Sequence, residues 1–324
     1  MLGILFCFSG VLCGCQTERE IPVTEYLLTN YNAPLERGAL ISEELCVSQE
    51  DISLVKYADD TNVNSAALFD VSNKQVLYSY SAHDRVYPAS ITKIMTALLA
   101  LENGDLSSEV TISKNAAASS FSIYAQVCGL EEGDIWTLND LLNALLLYSG
   151  NDTAVAIAEH IAGSEEAFVQ IMNERAESLM AYNTHFCNPH GLHEEDHYTT
   201  AYDIYLIFQE CIKNETFVNI INQDECTVSF IRNGVTQEAS FKATNWYAQG
   251  IVSSPENVEI LGGKTGTTDE GGYCLVLLER DELKKNYISI VMGAPVKADL
   301  YTDMTALIES IHTVDSVAVS FSQE

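Results

Sequence analysis

The amino-acid sequence predicts an α+β protein in which helices flank one antiparallel sheet. Strand-like segments occur near residues 65–80 and again near 260–292, a mainly helical region lies between them at about 116–185, and a helical pattern closes the chain. We expect strands from both ends of the chain to share the sheet, with a mostly helical subdomain inserted between them. With 324 residues, of which 47% are hydrophobic, the chain can bury a large core.

The first elements are predicted from short apolar segments and the turn residues between them. Segments 65–70 and 75–80 are separated by Ser72-Asn73-Lys74, which indicates a β-hairpin. Pro88 then precedes a helical pattern that stops near Asn103-Gly104, because Gly commonly ends a helix.

Two apolar helices and a second group of strands are predicted next. Leu138–Leu147 is strongly apolar, and residues 153–161 alternate Ala with Val and Ile, which is typical of buried helices. An Asn-Gly pair at 233–234 separates two strand-like segments, 226–231 and 237–243. The remaining elements are strands at 260–261, 273–279 and 287–292 and a closing helix at 299–311.

The chain is strongly acidic. It has 16 Lys and Arg against 46 Asp and Glu, which gives a formal net charge of -30. Charged residues nevertheless make up only 19% of the sequence, so a wholly disordered acidic chain is excluded. A nucleic-acid partner is not expected, because binding phosphate requires basic patches.

The N-terminus predicts export. Residues 2–12 form an uncharged apolar run that is too short to span a bilayer, for which about 20 residues are needed. Its length fits the core of a signal peptide, although no Lys or Arg precedes it. The following Cys-Gly-Cys resembles the cleavage box of bacterial lipoproteins, which would make Cys15 the lipidated residue and membrane anchor. An ordinary secretion signal and a buried N-terminal segment are the alternatives.

These features divide the chain into four predicted parts: a signal segment at 1–15, a tether and extension at 16–60, the main domain at 61–315 and a tail at 316–324. Six of the nine cysteines lie beyond the signal segment and lack any Cys-x-x-Cys spacing, so a zinc or redox site is not indicated. Sequence alone leaves open whether these six form bridges or are buried thiols.

The first motif whose side chains could take part in catalysis is Ser90-x-x-Lys93, at the start of the helix after Pro88. Residues three apart share a helical face, so the amine can reach the hydroxyl. A serine hydroxyl needs an adjacent base to act as a nucleophile, and a desolvated lysine can be that base. Taken alone, the spacing carries little weight because it recurs by chance.

Two further motifs follow in the chain. Ser149-Gly150-Asn151 comes after the apolar helix, where the hydroxyl could relay a proton and the amide could bind a carbonyl. Lys264-Thr265-Gly266 is predicted to open a strand, where the Lys and Thr suit a carboxylate and the Gly permits close approach of substrate backbone. Alone, the first indicates only a capped helix turn and the second is common by chance.

The order and spacing of the three motifs together resemble the penicillin-recognising serine enzymes. Within that superfamily the sequence is similar to the low-molecular-mass D-alanyl-D-alanine carboxypeptidases over roughly residues 60–315. The similar segments are 87–97 (YPASITKIMTA), 149–156 (SGNDTAVA), 188–192 (NPHGL) with 197–203 (HYTTAYD), and 264–269 (KTGTTD) with 272–274 (GYC).

The resemblance implies a fold of the β-lactamase and transpeptidase type and a role for each motif residue. Ser90 would attack the peptide bond between two terminal D-alanines of a peptidoglycan stem peptide, Lys93 would accept its proton, and Ser149 would pass a proton to the leaving amine. Substrate would be bound by Asn151, Lys264, Thr265, Gly266 and Thr267, with the backbone amides of Ser90 and Thr267 as oxyanion hole. No cofactor or metal is implied, and β-lactams would acylate Ser90.

Two departures from that family are visible. Members often carry a second, β-rich domain and a C-terminal amphipathic helix, whereas only 58 residues follow Gly266 here. We therefore expect neither, which favours an N-terminal anchor at Cys15 and export to the outer face of the cytoplasmic membrane or the cell wall.

Alternatives remain for function and for three residue clusters. A β-lactamase of the same fold and a non-catalytic lipoprotein that binds wall peptide or penicillin are the rival functions. A metal site at His190, His193 and His197 is disfavoured because their spacing is not that of a zinc motif. Residues 245–247 are expected at a rim or core position, and 83–85 in a solvated turn.

Overall fold

The structure is a computed structural model that describes residues 44–48, 50–53 and 62–311. The predicted signal segment with Cys15, most of the predicted tether and the tail 316–324 lie outside the described residues. The strands and helices, in chain order, are β1 Ser65–Asp70, β2 Gln75–Tyr80, α1 Lys93–Asn103, β3 Glu109–Thr111, β4 Ile135–Thr137, α2 Leu138–Leu147, α3 Asn151–Ala162, α4 Glu165–Ser178, α5 Ala201–Cys211, α6 Glu215–Ile221, β5 Glu225–Arg232, β6 Val235–Lys242, β7 Val258–Thr268, β8 Gly272–Asp281, β9 Asn286–Ala294 and α7 Lys297–Glu309.

The main sheet joins the two ends of the described chain, as predicted. Its five antiparallel strands have the order β2-β1-β9-β8-β7. Strand β1 is buried over its whole length because it lies between β2 and β9 and is covered on both faces. The α+β fold with an antiparallel sheet is therefore confirmed, and so are the bounds of the first hairpin.

The two faces of the sheet belong to two separate hydrophobic clusters. Side chains alternate along a strand, so Leu275 and Leu277 of β8 pack beneath α7, while Val276 and Leu278 point into the larger core with α1. Helix α1 crosses the centre of this larger core and is buried from its first residue to Ala100. Its N-terminus is thereby fixed against the sheet.

The inserted region is less helical than predicted. Residues 116–137 hold no α-helix, and the short strands β3 and β4 join the β5–β6 hairpin in a second, four-stranded sheet. Trp136 of β4 stacks on Phe230 of β5, with ring centroids 4.6 Å apart. Three-residue strands are too short to show a period, and β4 pairs with β5 about 100 residues further along the chain, so the pattern of this segment was misleading.

No helix in the described ranges is long and apolar enough to cross a membrane.

Candidate active site

Three elements of the larger core meet at one cleft. Ser90 lies in a short 3-10 turn, Ala89–Thr92, that leads into α1. Ser149 lies in the tight turn between α2 and α3, and Lys264 lies within β7. A cleft of about 330 Å³ opens between these elements, and Ser90 and Ser149 both line it.

Lys93 is placed to act as a base on Ser90. Its Nζ lies 3.0 Å from Ser90 Oγ, and it donates hydrogen bonds to Asn151 Oδ1 (2.7 Å) and to the backbone oxygen of His190 (2.6 Å). A neutral amine has two N–H groups and one lone pair, so these two acceptors leave the lone pair for the serine hydroxyl. Complete burial, aided by the charge of Lys264, holds the pKa of Lys93 well below its usual range.

Lys264 connects the third motif to the second. Its Nζ donates to Ser149 Oγ (2.8 Å) and to the backbone oxygen of Thr265 (2.8 Å). Burial lowers the pKa of this amine to about 7. When protonated, the amine has three N–H groups, so one remains available to a ligand in the cleft.

The turn that carries Ser149 is tight. Ser149 has a φ of 71°, which is unusual for a residue with a side chain, and Gly150 packs directly on Cys128. A Cβ at Gly150 would lie 2.5 Å from Cys128 Sγ, so no larger residue fits without a shift. Asn151 follows as the first residue of α3, and its backbone N–H donates to the oxygen of Gln126. The serine and the asparagine therefore line the cleft from either side of Gly150 on a constrained backbone.

Strand β7 lies close against the 3-10 turn. A Cβ at Gly266 would come within 2.9 Å of the Pro88 oxygen, which explains the need for glycine there. Thr265 Oγ1 is paired with Thr244 Oγ1 at 2.6 Å, and Thr267 also lines the cleft. The structure thus brings all eight predicted catalytic and substrate-binding residues of the three motifs to one place.

One detail of the prediction was wrong, and two supporting residues were missed. Lys264 does not open its strand: β7 begins at Val258, and a bulge near Gly262, where φ is 118°, separates the two parts. Thr244 and Asp152 were not singled out, because isolated Thr and Asp residues carry no spacing signal.

The lining of the cleft is nearly uncharged. Of the described residues that line it, Lys297 is the only one with a charged side chain. The others are mostly small, hydroxyl-bearing or aromatic: Ser90, Tyr124, Ala125, Gln126, Ser149, Asn151, Gly191, Leu192, Thr244, Thr265, Gly266, Thr267, Thr268, Tyr273, Cys274 and Leu300.

The histidine and aromatic clusters, for which no catalytic role is expected, contact neighbouring residues of the fold. His190 and His197 are buried, and no group of three or more metal-ligating side chains occurs in the described part of the chain. Trp246 stacks on Tyr301 at 4.8 Å beside α7. The cysteines at 46, 128, 187, 211, 226 and 274 are free thiols, so the described residues contain no bridge among them.

The antiparallel sheet, the inserted helices and this cleft define the penicillin-recognising fold. The crystal structure of the Streptomyces K15 DD-transpeptidase matches with a TM-score of 0.71 and 28% identity, covering 77% of this chain and 96% of that one. Penicillin-binding protein 5 of Haemophilus influenzae matches with a TM-score of 0.67 and 28% identity, over 78% of this chain and 71% of that one.

The chain belongs to the D-alanyl-D-alanine carboxypeptidase family, peptidase family S11, whose model matches residues 53–296. It is 34% identical over 250 residues to the D-alanyl-D-alanine carboxypeptidase DacF of Bacillus subtilis, which covers 76% of this chain and 61% of that protein. The chain thus spans somewhat less than two thirds of the length of this relative.

Proposed function

We propose that the chain is a serine-type D-Ala-D-Ala carboxypeptidase that removes the terminal D-alanine from peptidoglycan stem peptides. The observation that carries this proposal is the 3.0 Å approach of buried Lys93 Nζ to Ser90 Oγ, at a cleft that Ser149 also lines and where buried Lys264 donates to Ser149. Membership of the carboxypeptidase family supports the same activity.

Acylation begins when Ser90 Oγ attacks the carbonyl carbon of the penultimate D-alanine. The hydroxyl proton passes to the lone pair of Lys93, whose other two positions are occupied by Asn151 and His190. The negative charge that develops on the carbonyl oxygen is stabilised by the backbone N–H groups of Ser90 and Thr267. Removing one such donor typically costs about 10²–10³ in rate.

Departure of the terminal D-alanine requires a proton on its nitrogen. Ser149 supplies it, because its oxygen accepts from Lys264 and its own proton is free to be donated to the leaving amine. The peptide C–N bond breaks and leaves the shortened peptide as an ester on Ser90. Lys264 replaces the proton that Ser149 gave up and is itself reprotonated by solvent. Water then attacks the ester and releases one proton to solvent, Ser90 Oγ leaves with the proton that Lys93 had accepted, and the shortened peptide departs as a carboxylic acid.

The same residues bind the substrate. Asn151 uses its Oδ1 for Lys93, so its Nδ2 remains for a carbonyl of the stem peptide. Lys264 and Thr265 bind the terminal carboxylate through the remaining N–H of the lysine and the threonine hydroxyl. Gly266 allows the peptide to lie against the edge of β7.

Release of D-alanine from diacetyl-L-Lys-D-Ala-D-Ala tests the proposal, with Ser90→Ala as the matched variant. Intact-mass analysis after incubation with benzylpenicillin should show one adduct on the wild type and none on Ser90→Ala. Penicillin labelling without release of D-alanine by the wild type would instead support the non-catalytic binder.

A β-lactamase is the first alternative of the same fold. Such enzymes of class A use a glutamate on a loop to activate the deacylating water. Between Asn151 and Lys264, glutamates four residues before an asparagine occur at Glu210 and Glu215, and neither lines the cleft. Rapid turnover of nitrocefin by the wild type would replace the carboxypeptidase assignment with this one.

Transpeptidation is the second alternative, favoured by the likeness to the Streptomyces K15 DD-transpeptidase. It differs only in the nucleophile that removes the acyl group from Ser90. Adding glycine or a D-amino acid to the assay separates the two reactions, because an acceptor amine yields a new peptide in place of the shortened acid.

We further propose that the protein is exported and anchored through a lipid on Cys15. The support is the apolar run at 2–12 followed by the Cys-Gly-Cys sequence. Expression in a bacterium fed radiolabelled palmitate should label the wild type and leave Cys15→Ser unlabelled. Equal labelling of both, or of neither, would remove this part of the proposal.

A further inference from the structure

The peptide bond just before the nucleophile has an unusual backbone. Ala89 has a φ of 50°, in the left-handed region that residues with a side chain rarely adopt. Such a conformation persists only where its surroundings hold it in place. Its carbonyl belongs to the same peptide plane as the N–H of Ser90, the proposed oxyanion-hole donor.

A chain of three hydrogen bonds ends on that carbonyl. The N–H of Cys187 donates to His197 Nδ1 (3.0 Å), His197 Nε2 lies 2.8 Å from Thr92 Oγ1, and Thr92 Oγ1 donates to the Ala89 oxygen (2.8 Å). Because Nδ1 accepts, the proton of the neutral imidazole is on Nε2, so each member donates to the next in one direction only. Burial lowers the pKa of His197 to about 4, so the ring stays neutral near pH 7.

Gly191 confines the same carbonyl from another side. A Cβ at this position would lie 1.8 Å from the Ala89 oxygen and 2.9 Å from Thr92 Oγ1. The oxygen is therefore held between a hydrogen-bond donor and a closely packed backbone, which leaves the peptide plane little freedom to rotate.

In a trans peptide the C=O and N–H groups point in opposite directions. Fixing the Ala89 oxygen toward Thr92 consequently fixes the direction of the Ser90 N–H away from it. The first N–H groups of a helix have no partner within the helix, so this donor is available to a ligand. Ser90 itself lines the cleft.

We propose that Thr92 and His197 are positioning residues that aim the backbone N–H of Ser90 at the developing oxyanion. The inference rests on the proposed acyl-transfer function and adds to it two residues that touch neither the substrate nor the reacting atoms. Without the hydrogen bond from Thr92, the Ala89–Ser90 peptide can rotate and the donor is misdirected in the transition state.

The chain offers a matched pair of variants for the test. Thr92→Val keeps the shape of the side chain and removes its bond to Ala89. Thr96→Val, one turn further along α1, removes an equally buried hydroxyl that donates to the Pro189 oxygen (2.6 Å) and does not contact Ala89. Thr92→Ser retains the hydroxyl and should restore the wild-type rate. Melting temperatures of all variants measure the general effect of losing a buried hydrogen bond.

We expect Thr92→Val to lower kcat for D-alanine release, and the limiting rate of penicillin acylation, by about tenfold or more, because loss of a whole oxyanion donor costs about 10²–10³. KM should change little, and Thr96→Val should keep both rates within about twofold of wild type. Comparing a D-Ala-D-lactate ester with its thionoester adds a direct readout, since a misaimed donor discriminates less between oxygen and sulfur.

Three results would overturn the inference: equal slowing by Thr92→Val and Thr96→Val, a loss confined to KM, or no rescue by Thr92→Ser. If the wild type is acylated by penicillin without releasing D-alanine, the carboxypeptidase function fails while acylation rates still decide the role of Thr92. If Ser90 of the wild type is not acylated at all, both proposals are wrong.

Discussion

Lys264 Nζ lies 2.8 Å from Ser149 Oγ, so the strand that carries the third motif is bound directly to the turn that carries the second. The positive charge of Lys264 also acts on Lys93 and contributes to the low pKa of that amine. One buried lysine therefore holds the proposed proton relay in place and helps keep the proposed base neutral. Binding of a substrate carboxylate at Lys264 would therefore change the electrostatic environment of both Ser149 and Lys93.

Carboxylate binding should weaken as the pH rises above neutrality. Because burial lowers the pKa of Lys264 to about 7, the amine is protonated below that pH and loses its charge above it. We expect KM for a peptide ending in D-Ala-D-Ala to increase between pH 6 and 9. A peptide with a C-terminal amide is the control, since it lacks the carboxylate and should show a high KM without this trend. A KM for the acid that is constant over the range would contradict the assignment.

Gly191→Ala should abolish penicillin acylation or folding. The added Cβ would lie 1.8 Å from the Ala89 oxygen, and Gly191 has a φ of 84°. Gly163→Ala is a matched control, because Gly163 has a φ of 82° and no atom within 4 Å of an added Cβ. Both variants share the backbone strain, so the difference between them in melting temperature and acylation rate measures the contact. Equal effects of the two substitutions would show that backbone strain alone, without the contact to Ala89, explains why residue 191 is a glycine.

Asp152→Asn should loosen the loop at the cleft. The Asp152 carboxylate accepts backbone hydrogen bonds from Cys128, Gly129 and Leu130, at 2.8–3.1 Å. An amide cannot accept from all of them, so we expect a loss of about 1–3 kcal/mol in the free energy of unfolding. Hydrogen exchange at 128–130 should accelerate. Asp140→Asn in the first turn of α2 is the control, and equal exchange in both variants would refute this role.

Glu279→Gln should stabilise the protein at neutral and alkaline pH. Glu279 is completely buried, and hydrogen bonds from Ser289, which favour the charged form of its carboxyl, do not offset the effect of burial. Burial holds its pKa well above the usual value of 4.5, so the folded state retains a proton that the unfolded state has lost. Stability must therefore fall as the pH rises above about 4.5.

Thermal melts of the wild type and Glu279→Gln between pH 5 and 9 measure this effect. The wild type should lose stability across the range, and the variant should lose less. Glu238→Gln, on the exposed side of β6, serves as the control and should follow the wild type. A Glu279→Gln curve parallel to that of the wild type would disprove the contribution of this carboxyl.

Local patterns were sufficient where neighbours in sequence form the structure. The hairpin Ser65–Asp70 with Gln75–Tyr80 and the helix Leu138–Leu147 have the predicted bounds, because a turn signal or a continuous apolar face defines each. That the residues of the three distant motifs form one site was implied by their resemblance to a known family and not by any local pattern. What failed was the segment at 116–137, whose single strand, β4, pairs with β5 far along the chain.

The contacts that support the site could not be predicted from the sequence either. Nothing in the spacing of Thr92 and His197, 105 residues apart, indicates that they share a hydrogen bond. The same holds for the pair Thr244 and Thr265. Such contacts arise only when the sheet and the inserted region pack together, so they become visible in the folded chain.

The contacts of Lys93 have a consequence for biosynthesis. Its two acceptors lie 58 and 97 residues further along the chain, and the bond between Ser149 and Lys264 spans 115 residues. A chain that has not yet reached Lys264 therefore cannot form all the contacts that hold the base, the relay and the nucleophile together. Reactivity with penicillin should appear late in refolding, together with the last long-range contacts. The regain of acylation would therefore report when folding is complete.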